Sequence, residues 1–326
     1  MNVTVLGAGS WGTALALLLV QNRHRVVLWG NNSERLAEAA RLRENRRYLP
    51  GVPLPEALRL ESDLTRAMDQ AEVVVVSVPS KAFREITGRM PGFDGIMVST
   101  TKGIEHTTGK TMCQILAETA PRARVAALSG PTLAAEVARG VPTAVVAASP
   151  SADIAEQIQA LFHRPTFRVY TSTDVIGVEL GGALKNVVAI AAGICDGLGL
   201  GDNAKAALIT RGLAEMSRLG VACGAKAETF SGLSGLGDLT VTCTSRLSRN
   251  RGFGERIGRG ERVADLLAAS ATVIEGFPTS RSAHELAIRL GVSAPITAEV
   301  DATLHEGKSP RQAVVDVLNR ETRSES

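Results

Sequence analysis

Asn2-Val3-Thr4-Val5-Leu6 runs directly into Gly7-Ala8-Gly9-Ser10-Trp11-Gly12, and residues 13–20 continue as an apolar stretch. A β-branched run, a glycine turn and a buried helix form the context in which a G-x-G-x-x-G pattern carries meaning. Gly7 allows the tight turn, Gly9 lets the backbone approach a pyrophosphate, and Gly12 lets helix and strand pack closely. The first N–H groups of the helix then face the phosphates, and the helix dipole favours their charge. A glycine turn without a ligand is the plainer alternative. The flanking strand and helix favour dinucleotide binding.

Working outward, the first half alternates strand and helix. Residues 25–29, 72–78, 95–99, 125–128, 143–147 and 167–170 read as further strands, 33–43 as a helix with Ser33 as candidate N-cap, and 48–55 as a Pro/Gly-rich loop. Continuous apolar strands separated by helices imply a parallel sheet covered on both faces. Strand patterns stop near Thr171. Residues 174–198, 203–222, 264–270, 280–290, 297–305 and 309–319 then read as helices, and the polar tail 320–326 as frayed. The expected fold is α/β: a Rossmann-type, mostly parallel sheet over 1–173, then an all-helical domain over 174–326 that carries substrate and catalysis.

The length of 326 residues suits about two domains. An apolar content of 44%, a charged content of 21% and a net charge of +3 describe an ordinary globular chain, not a polyanion binder. Aromatic residues at 3% are too few for base-stacking platforms. No nucleic-acid partner is expected. Nor is membrane insertion, because no charge-free stretch reaches spanning length. Met1 leads straight into a core strand, not a basic leader. Cys113, Cys195, Cys223 and Cys243 form no C-x-x-C pair and no metal spacing, so no metal is expected and a reduced, cytoplasmic protein is the simple reading. Residues 103–111, GIEHTTGKT, imitate a phosphate loop but place five residues between the glycines where that loop has four.

NAD-selective folds carry an acidic residue about 20 residues past the glycines to bind the ribose 2′-OH. Here the second strand ends Trp29-Gly30-Asn31-Asn32. An Asp would repel a 2′-phosphate, whereas Asn31 can donate to it. Arg35, Arg46 and Arg47 are nearby in sequence, and a plain turn at Asn31-Asn32 is the alternative. The cofactor is therefore NADP(H), NAD(H) or both.

Hydride transfer to a ketone also needs a proton donor at the oxygen. Residues 178–193 are small and apolar with one lysine, Lys185, inside. Lysine is rarely buried without a role, and partial burial moves a lysine toward neutral pKa. A lysine that snorkels to the surface is the bland alternative. Lys102 follows a strand, at the edge where open α/β sheets bind ligands, as does Ser129-Gly130-Pro131-Thr132. Residues 231–239, SGLSGLGDL, read as a glycine-rich loop with one acid, Asp238, placed to accept a substrate hydroxyl or to pair with Lys185. Ser248-Arg249-Asn250 reads as an anion site: an N-cap hydroxyl, backbone N–H groups and a guanidinium. A basic stripe through Arg256, Arg259 and Arg262 is the rival, interrupted by Glu255 and Glu261.

Taken in order, these blocks resemble bacterial NAD(P)-dependent glycerol-3-phosphate dehydrogenase. The resemblance rests on Thr101-Lys102-Gly103, Leu128-Ser129-Gly130-Pro131-Thr132-Leu133-Ala134, Gly182-Ala183-Leu184-Lys185-Asn186-Val187-Val188-Ala189, Leu233-Ser234-Gly235-Leu236-Gly237-Asp238-Leu239 and Ser248-Arg249-Asn250. It covers nearly the whole chain. It implies reversible reduction of dihydroxyacetone phosphate to sn-glycerol 3-phosphate, the backbone precursor of membrane phospholipids. Lys185 would exchange the proton at C2, and Lys102 would touch both cofactor and substrate. Gly130, Thr132, Asp238, Arg249 and Asn250 would hold the substrate. Ser10, Trp11, Ala134, Arg249, Val273 and Glu275 would contact the dinucleotide. The family often has His or Arg where this chain has Asn31 and Asn32. The helical second half is compatible with a homodimer. Two rivals are a keto-acid reductase on the same scaffold (a 3-hydroxyacid dehydrogenase or ketopantoate reductase) and a non-enzymatic dinucleotide sensor, which would need neither Lys185 nor Asp238.

Overall fold

The computed structural model describes residues 1–270 and 272–319. The tail 320–326, expected to fray, lies outside the described residues. Two compact units are present, Met1–Lys102 with Lys110–Glu179, and Gly103–Gly109 with Leu180–Ser326.

The first unit is one eight-stranded sheet. Its strands are β1 (Asn2–Leu6), β2 (Arg25–Trp29), β3 (Leu58–Glu61), β4 (Val73–Val76), β5 (Ile96–Ser99), β6 (Arg124–Ser129), β7 (Thr143–Ala148) and β8 (Phe167–Ser172). Between them run α1 (Ser10–Gln21), α2 (Ser33–Leu42), α3 (Leu64–Met68), α4 (Ser80–Thr87), α5 (Met112–Thr119), α6 (Ala134–Ala138) and α7 (Ala152–Phe162). The order is β3-β2-β1-β4-β5-β6-β7-β8, with every pair parallel except β6 and β7. Alternation along β4 explains the double cover. Val73 and Val75 join the core under α1 and α7, while Val74 and Val76 join the one under α4 and α5. The strand order reverses at β1/β4, so ligand-binding loops gather at the carboxyl ends of these strands.

Strand β3 is absent from the sequence reading. Leu58-Arg59-Leu60-Glu61 is a short edge strand with polar alternation, and prolines at 53 and 55 precede it. The cap of α2 also differs from expectation. Asn32, not Ser33, is the N-cap, and its Oδ1 accepts from Arg35 N at 2.8 Å.

The second unit is helical. It contains α8 (Val175–Leu198, from its sixth residue on), α9 (Gly201–Ala222), α10 (Ala227–Phe230), a π-turn (Leu233–Gly237), α11 (Asp238–Thr244), α12 (Arg249–Gly258), α13 (Val263–Ala269), α14 (Gly276–Leu290), α15 (Pro295–His305) and α16 (Pro310–Leu318). Its core joins Val187, Ile190, Ile194, Phe253, Ile257, Ile296 and Val300. Helix α8 is long and apolar enough to cross a membrane, but 89% of its most apolar stretch is buried in protein and Lys185 lies within it.

The units do not divide at 173/174. The start of α8 stays with the sheet because Val175 and Val178 pack on Cys113, Ala127 and Ala148. Residues 103–109 count with the helices, where Arg289 Nη1 donates to Thr108 O at 3.4 Å.

Glu179 ends the sheet unit's share of α8. It is buried, and its Oε1 accepts from Cys113 N at 2.9 Å at the start of α5. Burial pushes its pKa up to about 7, against the bonds from Thr111 and Cys113. The folded state therefore holds a proton that the unfolded chain releases near its ordinary value of 4.5. Stability from this group is full below that value and is lost as pH rises to about 7, a fall on the order of 3 kcal/mol. Glu179→Gln is expected to flatten this dependence. Denaturation midpoints at about pH 5 and about pH 8 should diverge in the parent and stay together in the variant, after allowing for other groups.

Candidate active site

In the sheet unit, the glycine turn is built for close approach. Gly7 sits at φ +114°, and a Cβ there would lie 2.6 Å from Ser77 O. A Cβ on Gly12 would strike the Gly7 carbonyl. Gly9 differs: a Cβ there would meet nothing within 4 Å among the described residues, so no packing among them requires glycine. That open side leaves the backbone accessible to a phosphate group. Asn45 braces the turn, its Nδ2 donating to Ala8 O (3.0 Å) and Thr13 Oγ1 (2.9 Å). Trp11 supplies a second sign of a ligand, since its Nε1 is buried with no hydrogen-bond partner among the described residues. Such a donor is costly unless something accepts from it. The residues therefore fit a dinucleotide.

The end of β2 separates the basic residues. Arg35 Nη1 donates to Tyr48 OH at 3.1 Å, and the Arg47 guanidinium lies 5.7 Å over the Tyr48 ring. Tyr48 O accepts from Ser10 Oγ at 2.5 Å, which ties this basic pair to the glycine turn. Arg46 is paired with Glu44 at 3.0 Å. Asn32 is occupied as a helix cap, leaving Asn31 as the exposed amide.

Farther along the same sheet edge, Lys102 Nζ donates to Gly130 O (2.9 Å) and Thr132 Oγ1 (3.2 Å). Gly130 has φ +145°, and a Cβ would lie 2.9 Å from Val145 Cα, so glycine is obligatory there. The sequence-derived trio of Lys102, Gly130 and Thr132 is thus one cluster, and Ala134 begins the short helix α6 just after it.

In the helical unit, Lys185 does not snorkel. Its side chain is 7% exposed, and its Nζ lies 2.5 Å from Asp238 Oδ1, itself 1% exposed. Thr242 Oγ1 stands 2.6 Å from the same Nζ. Asp238 is not in a loop: residues 233–237 form the π-turn and Asp238 begins α11, so Thr242 falls four residues on, on the same face. Sequence reading missed Thr242, although D-x-x-x-T at helical spacing was its signal. Burial pushes the neighbouring Cys243 thiol up to about 12, and Lys185 and Lys205 oppose the shift.

Ser248 caps α12 as expected, accepting from Arg251 N at 3.2 Å. Its oxygen is thereby engaged, and its O–H is what it can offer a ligand. Arg249 Nη1 donates to Val273 O at 3.1 Å, and Glu275 acts on the same guanidinium, so three residues expected at the dinucleotide do gather. Crowding by protein atoms lowers the Arg249 pKa and Glu275 raises it. The side chain is nevertheless exposed, so water screens the effect and the arginine stays charged. Asn250 is also engaged within the protein. Its Nδ2 donates to Asn186 Oδ1 (2.8 Å) and its Oδ1 accepts from Gly276 N (3.0 Å), which leaves a second amide N–H and the backbone N–H for a ligand. The basic stripe dissolves into ion pairs: Arg256 with Glu261, and Arg259 with Glu255.

Known proteins resemble this chain along both of its halves. The N-terminal part of the NAD-dependent glycerol-3-phosphate dehydrogenase family matches residues 2–155, and the C-terminal part matches 174–315. The NAD(P)+ glycerol-3-phosphate dehydrogenase of Chlorobium limicola is 50% identical over 331 aligned positions, covering 100% of this chain and 99% of that protein. Its counterpart from Pseudoalteromonas translucida is 49% identical, covering 99% and 98%. The crystal structure of glycerol-3-phosphate dehydrogenase from Coxiella burnetii superposes with a TM-score of 0.95 at 42% identity, covering 98% of this chain and 99% of that one. With both halves matched and the likeness running end to end, the chain belongs to the NAD-dependent glycerol-3-phosphate dehydrogenase family.

Proposed function

We propose that this protein reduces dihydroxyacetone phosphate to sn-glycerol 3-phosphate, reversibly, with NADPH or NADH. The observation that carries the chemistry is the buried Lys185–Asp238–Thr242 group, 2.5 and 2.6 Å from the Lys185 amine. A bound dinucleotide supplies the hydride to C2. Lys185 donates a proton to the ketone oxygen as that carbon is reduced, and takes it back in reverse. Asp238 holds the ammonium in place and stabilises its charge, and Thr242 fixes the amine's direction. Lys102, held by Gly130 and Thr132, orients substrate and cofactor. Arg249, with the N–H groups that open α12 and the Ser248 hydroxyl, grips the phosphate. Gly7, Gly9, Ser10, Trp11 and Gly12 receive the pyrophosphate end, with Ala134, Val273 and Glu275 at the dinucleotide.

The product is the phosphorylated three-carbon backbone consumed by acylating reactions of phospholipid synthesis. Free thiols at Cys113, Cys195, Cys223 and Cys243 support a cytoplasmic location. Oxidation of NADPH on mixing with dihydroxyacetone phosphate tests the reaction. Oxidation only with a 2-keto acid would transfer the assignment to a keto-acid reductase.

For the cofactor, we propose that NADPH is accepted through Asn31 and Arg35. No carboxylate ends β2, and Arg35 stands with Arg47 about Tyr48. Asn31→Asp should weaken NADPH and spare NADH, because it sets a negative charge against the 2′-phosphate. Arg35→Ala should raise the NADPH Kd roughly ten- to a hundred-fold, the worth of one charge-assisted phosphate contact, with little change for NADH. Fluorescence titration with each nucleotide reads both. Equal losses for the two nucleotides would remove these residues from the ribose.

A further inference from the structure

Two glycine pairs meet within the helical unit. Helix α8 carries Gly193 and Gly197, and α12 carries Gly254 and Gly258. A Cβ on Gly197 would lie 2.8 Å from Gly258 Cα, and one on Gly258 would lie 3.0 Å from Gly197 Cα. On Gly193 it would lie 2.7 Å from Glu255 N, and on Gly254 2.9 Å from the carbonyl carbon of Ile190. The four-residue spacing puts each pair on one helix face, so backbone lies against backbone for a full turn. A seam without side chains gives close approach but offers few interlocking knobs to fix how far one helix slides along the other.

Polar pins supply that register. Asp196 sits just before Gly197. Its Oδ2 is 2.8 Å from Arg251 Nε on α12, and both its oxygens are 2.9 Å from Lys205 Nζ on α9. Arg251 Nη1 also reaches Glu255 Oε2 at 2.9 Å. The Asp196, Lys205 and Arg251 side chains are only 21%, 15% and 12% exposed, so the pairing is poorly screened. A second pin is the 2.8 Å bond from Asn250 to Asn186, the residue after Lys185. Arg251 stands at the centre. Its guanidinium is ion-paired with Asp196 and Glu255, and its backbone N–H makes the capping bond to Ser248.

We propose that Asp196 is a positioning residue: through Arg251 and Lys205 it fixes residues 248–250 on the helix that carries Lys185, and so sets the separation between phosphate grip and proton donor. This rests on the reading of 248–250 as the phosphate site. Without the Asp196 charge, Arg251 and Lys205 repel one another, Arg251 turns to Glu255 alone, and the first turn of α12 loosens.

Asp196→Asn keeps the shape and removes the charge. The KM for dihydroxyacetone phosphate is expected to rise on the order of tenfold, about the worth of one weakened charge-assisted contact, with a much smaller change in kcat. The kcat/KM for unphosphorylated dihydroxyacetone should hold, because that ketone lacks the group the turn grips. A merely structural role would lower both ketones together. Lys205→Met leaves the Asp196–Arg251 pair intact and should shift KM the same way by less. An unchanged KM in Asp196→Asn, equal loss on both ketones, or a larger effect from Lys205→Met would overturn the proposal. Calorimetric titration with inorganic phosphate reads the same turn without turnover, and Asp196→Asn should bind it more weakly than the parent. If the parent binds phosphate but does not turn over the ketone, the reaction is misassigned, while the phosphate comparison still decides the role of Asp196.

Discussion

Lys185→Met is expected to lower kcat roughly 10²–10⁴-fold, the usual worth of a positioned proton donor, and to leave NADPH affinity unchanged. Methionine is a good helix former of similar stem length, so α8 itself should persist. The buried pair adds a second consequence. The variant strands Asp238, 1% exposed, without its cation. Removing one partner of a buried pair costs about 3–5 kcal/mol, although protonation of the orphaned acid recovers part of it. The double variant Lys185→Met with Asp238→Asn should therefore regain much of the stability and none of the rate. Steady-state kinetics with urea denaturation separates the two effects. A single variant that kept its kcat would remove Lys185 from the chemistry.

The second large effect belongs to Arg249→Ala. Loss of a charge-assisted contact to phosphate, about 1.5–3 kcal/mol, should lower kcat/KM for dihydroxyacetone phosphate roughly ten- to a hundred-fold. The loss should shrink for unphosphorylated dihydroxyacetone, which never had the contact. Arg249 also bonds Val273 O and faces Glu275, so some weakening of the dinucleotide is expected as well. Equal losses on both ketones would assign Arg249 to the fold or the cofactor instead of the phosphate.

Most of the sheet was legible because buried parallel strands are continuous apolar runs, as in Val73-Val74-Val75-Val76. The glycine turn was legible because three glycines have three separate geometric reasons. Legibility failed where packing overrides propensity. Helix α12, legible only as a capped first turn, carries Gly252, Gly254 and Gly258, and the segment before α11 carries Gly232, Gly235 and Gly237; such composition hides a helix. Two of these glycines in α12 are there because α8 passes at backbone distance, a tertiary fact that no local window contains. Missing α11 also hid Thr242, which only a helix brings to Lys185. The cap of α2 was off by one because Asn and Ser are near-equal caps and adjacent here. Asp238 was legible only as one of two alternatives, a partner for Lys185 or an acceptor for a substrate hydroxyl; the ion pair itself is a tertiary fact, because 53 residues separate the two.

The sharpest test of hydride transfer to this ketone is a single turnover of excess enzyme with dihydroxyacetone phosphate and NADPH deuterated at both C4 positions, with the product read by NMR. Deuterium at C2 of sn-glycerol 3-phosphate, one per cofactor oxidised, is the expected outcome. A product without deuterium at C2, or no oxidation with this ketone beside ready turnover of a 2-keto acid, would contradict it.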